Sequence, residues 1–160
     1  MMKKLLLIAV LGLFSFNAAH AQTGLTGIRV GVNAGIPVGD VDDASSFKAG
    51  ADLAYMISLM DIVQVGPMVG YSHYFGKDGV DDFQYLPIAA SGRLGLPSSF
   101  IGGFDLGYAV GLSDGLDGGL YWRPLLGFRF MNFGVMVFYE GITEDAGDVS
   151  SLNVGVEFKF

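Results

Sequence analysis

The sequence predicts an all-β protein: an eight-stranded antiparallel up-and-down transmembrane β-barrel that is preceded by a cleaved signal peptide. Segments of about ten residues alternate apolar with polar or small side chains, which is the signature of membrane-barrel strands. Long and short connections alternate between these segments, as in transmembrane barrels. After residue 21, no apolar stretch reaches the length of about 20 residues that a transmembrane helix needs. The alternation therefore favours strands that cross a membrane.

Residues 1–21 are expected to form a Sec-type export signal. Two lysines near the start are followed by an apolar stretch over 5–16 and by the small-residue pattern Ala-His-Ala over 19–21. The alternative is an uncleaved membrane anchor, but an apolar run of about 12 residues is too short to span a bilayer. We expect cleavage after Ala21, which leaves residues 22–160 as one barrel domain.

The composition excludes several classes of protein. Hydrophobic residues make up 51% of the chain and charged residues 16%, which is not the composition of a disordered chain. There is no cysteine, which excludes disulfides, thiolate metal sites and the lipidated cysteine of a lipoprotein. The formal net charge of −7 disfavours nucleic-acid binding, because phosphates need basic partners. No motif indicates a cofactor.

Eight segments of the chain have the alternating pattern. Glycine recurs inside nearly all of them, and each would cost about 1 kcal/mol in a helix, so they are interpreted as strands. In the first strand, apolar residues from Ile28 to Ile36 alternate with Arg29, Asn33 and glycines. The predicted strands cover 27–38, 47–59, 62–75, 83–94, 99–112, 119–130, 133–142 and 151–160.

The direction of the apolar face distinguishes two kinds of barrel. A soluble barrel such as a lipocalin would point this face inward, whereas a membrane barrel points it toward lipid. Large aromatic residues lie at both ends of the apolar face, which resembles two interfacial girdles. The girdle residues predicted from this pattern are Tyr71, Phe75, Tyr108, Trp122 and Tyr139 near one rim, and Phe130 and Phe133 near the other.

Most strand glycines fall on the opposite, inward face. The lumen of an eight-stranded barrel is only just wide enough for side chains, so small residues must alternate with large ones there. The same register places a polar network in the lumen, where buried charges need partners. Its predicted members are Arg29, Asp52, Arg93, Asp105, Arg123, Arg129, Glu140 and Glu157. If 131–132 is a two-residue turn, Arg123 lies opposite Glu140, and we predict an ion pair between them, with Asp105 nearby.

This network has two interpretations. It forms either a structural plug that seals the barrel, which we favour, or the lining of a narrow path for ions or small solutes. A wide pore is disfavoured because open aqueous lumens belong to barrels of about 16 strands.

The long connections carry most of the negative charge. They are predicted over 39–46, 76–82, 113–118 and 143–150, and they contain eleven of the sixteen acidic residues but only one lysine. Oxygen ligands in this number suit calcium or magnesium, yet none of the loops matches the twelve-residue calcium-binding loop. We interpret the loops as solvated and expect no metal site.

The end of the chain resembles the carboxy-terminal β-signal that the barrel assembly machinery of Gram-negative bacteria recognises. The residues that carry this resemblance are Asn153, Gly155, Phe158 and Phe160. The mature chain also resembles the small outer-membrane barrels of the OmpA, OmpX and OmpW group, often labelled porin-like, in the patterns at 85–88 and 103–108. The resemblance implies an outer-membrane location, contact with lipid and lipopolysaccharide, recognition by the assembly machinery, and a monomer.

The resemblance implies little about activity, because one barrel type hosts adhesins, small pores, enzymes and structural anchors. Some outer-membrane lipid enzymes use a serine and a histidine near the outer rim, and Ser72 and His73 are adjacent here. Adjacent strand residues point to opposite faces, so these two cannot act together. We expect no catalytic residues. The predicted function is a non-enzymatic barrel with a structural or surface-interaction role, with a narrow channel as the alternative and a lipid-modifying enzyme as the third.

Overall fold

The computed structural model is a single sheet that closes on itself. It describes residues 26–160, so the predicted export signal and its cleavage site lie outside the described residues. Each strand is antiparallel to its neighbours, and the order around the barrel is the order along the chain. This confirms the predicted fold. The strands are β1 (Thr26–Val38), β2 (Ser45–Met60), β3 (Val63–Gly76), β4 (Phe83–Gly95), β5 (Phe100–Gly111), β6 (Gly119–Phe130), β7 (Phe133–Glu144) and β8 (Gly147–Lys159).

The barrel closes where β1 pairs with β8. The ladder runs from Arg29 opposite Lys159 to Val38 opposite Ser150. Phe160 extends it, since its amide donates to the Ile28 carbonyl across 2.9 Å. An unpaired strand edge in lipid would leave several backbone groups without partners at several kcal/mol each, so closure is what permits this sheet to cross a membrane.

The outer face of the barrel is apolar along most of its height. On β1, Val32 and Ile36 are exposed while Arg29 and Gly31 are buried, and the other strands repeat this alternation. A water-soluble barrel would show the reverse arrangement. Within residues 26–160, no helix is long and apolar enough to span a membrane.

The two rims differ in the length of their connections. The short-turn rim carries residues 61–62, 96–99 and 131–132, and Phe160 lies at this end. The long-loop rim carries 39–44, 77–82 and 112–118.

The last connection on the long-loop rim is shorter than predicted. The sequence predicted a loop over 143–150, but Glu144 pairs with Gly147 and only 145–146 form the turn. The prediction was wrong because the acidic residues there were interpreted as loop. Glu144 and Asp148 lie in strand ends that extend beyond the apolar belt, where alternation no longer has to place an apolar residue outward.

Two details of register bear on the lumen. Phe130 pairs with Phe133, so 131–132 is the two-residue turn that the sequence predicted. On β4, whose register the sequence left open, Ile88 and Leu94 are exposed on the outer face and Tyr85 is fully buried in the barrel.

Candidate functional site

The middle of the lumen is held by a cluster around Asp105, here called the Asp105 cluster. Its carboxylate accepts hydrogen bonds from Arg93 Nη1, Arg123 Nε and Ser91 Oγ, each across 2.6 Å. Arg123 Nη1 also donates to Asp52 Oδ2 across 2.9 Å. All five side chains are buried. Because these residues come from β2, β4, β5 and β6, the cluster links opposite sides of the barrel wall.

A second cluster, the Glu140 cluster, lies in the same lumen. Glu140 accepts from Lys48 Nζ at 3.0 Å and from Ser72 Oγ at 2.9 Å. The hydroxyls of Tyr74 and Tyr121 also donate to this carboxylate, each across 3.3 Å. The buried carboxylate is therefore both paired and hydrogen-bonded, which offsets the cost of removing its charge from water.

The predicted ion pair between Arg123 and Glu140 is wrong. The register does bring these two residues opposite one another, since Trp122 pairs with Gly141 and Leu125 pairs with Phe138 on either side of them. Arg123 instead pairs with Asp105 and Asp52, and Glu140 pairs with Lys48. Register along one hairpin fixes only neighbours within that hairpin, whereas a narrow lumen lets side chains from several other strands compete for each charge.

The lumen near the short-turn rim contains the remaining predicted network residues. Arg29 donates to Glu157 Oε1 across 2.6 Å and also to Gln64. Within the described chain Arg129 forms no ion pair and lines a small cavity of about 30 Å³. Glu157 Oε2 also lies 3.7 Å from Arg93 Nη2, which connects this pair to the Asp105 cluster, whereas Arg129 lies apart.

Several side chains in this core were not predicted as site residues. Tyr74, Tyr85 and Tyr121 are fully buried, and they form an apolar layer with Ile142 between the Glu140 cluster and the long-loop rim. The ring of Phe138 lies 4.8 Å from Arg123 Cζ and 5.6 Å from Lys48 Nζ, within cation–π range. For Tyr74, Tyr121 and Phe138, the signal in the sequence was an aromatic residue at an inward position of the alternation.

The long-loop rim opens into a cavity of about 680 Å³, here called the outer cup. Its apolar wall includes Val41, Phe83, Tyr85, Leu116 and Val149. Its acidic residues are Asp40, Asp81, Asp82, Asp114, Glu144 and Asp148. The described residues that line the cup include no lysine or arginine.

The loop before β4 is tied to the end of β3. His73 Nε2 lies 2.9 Å from Asp82 Oδ2, and the Gly76 amide donates to Asp82 Oδ1 across 2.8 Å. The hydrogen bond from His73, followed by that from the Gly76 amide, lowers the pKa of Asp82 below its ordinary value of 3.8. Ser72 points the other way, into the Glu140 cluster, so the serine and histidine do not meet.

The predicted girdle residues lie on the outer face. Tyr71, Phe75, Tyr108, Phe130 and Phe133 are exposed, while Trp122 and Tyr139 are partly covered by each other, with ring centroids 5.2 Å apart. In the last strand, Asn153 and Gly155 are buried and Phe158 and Phe160 are exposed. Within residues 26–160, no group of three or more histidine, aspartate or glutamate side chains is arranged to hold a metal ion.

Known structures share this fold although the sequence has diverged. No family model matches the chain, and no curated protein matches it by sequence. The crystal structure of Ail, the attachment invasion locus protein of Yersinia pestis, superposes with a TM-score of 0.63 and 20% identity over 87% of this chain and 100% of Ail. The N-terminal β-barrel domain of Pseudomonas aeruginosa OprF gives 0.54 and 17% over 86% of this chain and 100% of that domain.

Ail has also been solved in complex with the heparin analogue sucrose octasulfate. That structure gives a TM-score of 0.51 at 19% identity, over 84% of this chain and 97% of Ail. At these identities the likeness concerns the fold: this chain shares the closed eight-stranded barrel of those proteins.

Proposed function

We propose that this chain, which has the fold of the small outer-membrane barrels, is a non-enzymatic barrel of a Gram-negative outer membrane. Its role is to stabilise that membrane or to present its loops to the outside. The observation that carries the proposal is the lumen, in which buried, mutually paired side chains of the Asp105 and Glu140 clusters fill the space that a channel would need. The export signal at 1–21 supplies the route to the membrane.

The orientation follows from the position of the chain ends. An exported barrel that leaves its first residues in the periplasm has the short-turn rim there and the long-loop rim outside. The outer cup and its carboxylates then face the medium. We propose that lipid and lipopolysaccharide surround the apolar belt and that the barrel is a monomer.

The surface chemistry of the loops argues against one ligand class. Ail was crystallised with a sulfated heparin analogue, a polyanion. The long loops here are acidic, and a polyanion would be repelled by them. A surface partner of this chain is therefore expected to be cationic where it meets the loops.

A narrow channel is the alternative function, because ionisable side chains occur along the lumen from Lys48 to Arg129. Planar-bilayer recording of wild type and Glu140→Gln separates the two. A plug gives negligible conductance in wild type, and in the variant unchanged conductance with lowered thermal stability. A stable conductance whose ion selectivity changes in Glu140→Gln would overturn the plug.

A lipid-modifying enzyme is the third candidate. Among residues 26–160 no serine and histidine pair supports it, because Ser72 donates a hydrogen bond to Glu140 inside the barrel and His73 is hydrogen-bonded to Asp82 outside it. Mass spectrometry of lipid A from cells with and without the protein tests this candidate. We expect identical lipid A, and a modified species that depends on the protein would contradict a non-enzymatic role.

The last strand is proposed to carry the assembly signal. Phe158 and Phe160 are exposed on the outer face beside the β1–β8 seam, where a recognition factor can reach them before closure. Truncation after Glu157 should therefore prevent accumulation in the outer membrane, whereas Val154→Ala, on the same strand, should not. Outer-membrane fractionation together with an electrophoretic shift on heating provides the measurement. A soluble wild-type protein without that shift would refute the location itself.

A further inference from the structure

The outer cup has the size and lining of a small-molecule site. A volume of about 680 Å³ lies within the range of about 300–1,000 Å³ that ligand pockets occupy. Phe83 packs on Tyr74 with ring centroids 5.0 Å apart and parallel planes, so one wall of the cup is a fixed aromatic surface. Leu116 and Val149 pack against the same buried layer. A guest with an apolar body would find a preformed surface here.

Two polar atoms in the cup lack partners. The hydroxyl of Tyr85, whose residue is 0% exposed, and Oε1 of Glu144 are both buried and accept no hydrogen bond from the described residues. Both residues line the cup. The Glu144 carboxylate is a polar neighbour of the Tyr85 hydroxyl, but the two groups do not form a hydrogen bond with acceptable geometry. A buried polar atom without a hydrogen bond is unfavourable, so the cup favours a guest that supplies the missing hydrogen bonds.

The negative charge of the cup determines which charge a bound guest can carry. Asp82 is already engaged by His73 and the Gly76 amide, but Asp40, Asp81, Asp114, Glu144 and Asp148 have no basic partner in the cup. An anion would be repelled, and a neutral guest would leave the Glu144 charge uncompensated. No three of these carboxylates are arranged to hold a metal ion within the described chain. The group that best complements these carboxylate oxygens is therefore an ammonium group.

We propose that the outer cup binds a small organic cation that carries a primary ammonium group on an apolar body. The ammonium donates to Glu144 Oε1 and to the Tyr85 hydroxyl oxygen, and the apolar body packs against Phe83, Leu116 and Val149. The proposal rests on the surface role proposed above, since it needs the long-loop rim to face the medium.

Tryptamine is a suitable probe, because tryptophol and indole-3-acetate share its ring but carry a neutral and a negative group. The purified protein in nanodiscs of zwitterionic lipid is titrated calorimetrically with each compound, and empty nanodiscs supply the blank. We expect saturable binding of tryptamine that is at least about tenfold tighter than that of tryptophol, and no binding of indole-3-acetate.

Variants locate the site. Glu144→Gln removes the charge and should weaken tryptamine binding about tenfold, and Tyr85→Phe removes only the hydroxyl and should weaken it about threefold. Asp145→Asn is the matched control, because this neighbouring carboxylate does not line the cup, and binding should be unchanged. The heat-induced electrophoretic shift verifies folding of each variant.

Three outcomes overturn the proposal: no binding of tryptamine to the wild type, equal binding of tryptamine and tryptophol, or undiminished binding by folded Glu144→Gln. If a variant does not fold, the three-compound comparison on the wild type still decides. Failure here leaves the proposed surface role intact. Different observations would contradict that role, namely an ion-selective conductance or the absence of the protein from the outer membrane.

Discussion

Arg123 and Asp105 are Cα partners in the β5–β6 ladder, and Arg123 Nε donates to Asp105 Oδ2 across 2.6 Å while Nη1 of the same guanidinium reaches Asp52 on β2. One side chain thus joins a neighbouring strand to one across the lumen. Removing one partner of a buried pair is costly because the other charge is left uncompensated.

Replacing Arg123 should destabilise the barrel strongly. Arg123→Met leaves Asp52 without its ion-pair partner, and we expect a loss of about 3 kcal/mol in the free energy of unfolding. Urea unfolding in lipid vesicles measures it. Arg129→Met, which breaks no ion pair in the described chain, should cost less than about 1 kcal/mol. Adding Asp52→Asn to Arg123→Met should recover part of the loss, and no recovery would contradict this account.

Gly141 is required by the indole of Trp122. A Cβ at position 141 would lie 2.4 Å from Trp122 Cε2, so Gly141→Ala must displace the ring, at a cost of about 1–3 kcal/mol. Trp122 is the only tryptophan, so its emission spectrum reports the displacement directly. Gly134→Ala serves as the control, since its nearest contact would be an ordinary 3.5 Å. Identical spectra for wild type and Gly141→Ala would show that the ring does not lie against this glycine.

The contact between Asp82 and His73 should depend on pH in the acidic range. Hydrogen bonding lowers the pKa of Asp82 in the folded protein below 3.8, so the carboxylate binds protons less readily when folded than when unfolded. Its contribution to stability is therefore present above about pH 3.8 and is lost as the pH falls through the folded pKa. The amide resonance of Gly76, which donates to Asp82, should follow this titration with a midpoint below 3.8. His73→Ala should move the midpoint upward, and an unchanged midpoint would assign the shift to another group.

The turn at 131–132 contains a residue with an unfavourable backbone conformation. Met131 has a φ of 53° and is 82% exposed, so a left-handed conformation is imposed on a side chain that packs against little. Asparagine tolerates this conformation, and Met131→Asn should stabilise the barrel by about 0.5 kcal/mol. Met131→Ala keeps the strain and should bring no gain in the same urea experiment. A gain in both variants would point to the loss of the methionine rather than to φ.

The strands and the inward face were predictable because the two-residue period of a strand is visible in the sequence as alternation of apolar with polar or small residues. The turn at 131–132 was predictable as well, and it fixed the β6–β7 register. The partners of Arg123 were not predictable, because Asp52 meets it across the lumen and no local pattern reports contacts between β2 and β6. The outer cup was also not predictable. Its hydrophobic residues, such as Val41 and Leu116, lie in connections that looked merely polar and acidic.

The β1–β8 seam imposes an order of events on the synthesis of this protein. Arg29 and Glu157 are 128 positions apart in the chain, and their contact across the seam must wait until the final strand exists. Contacts between such distant positions are slow to form, because closing the intervening chain reduces its conformational entropy before the contact can compensate. Until β8 has been synthesised, β1 therefore lacks one of its two neighbours, and the incomplete chain depends on protection from aggregation.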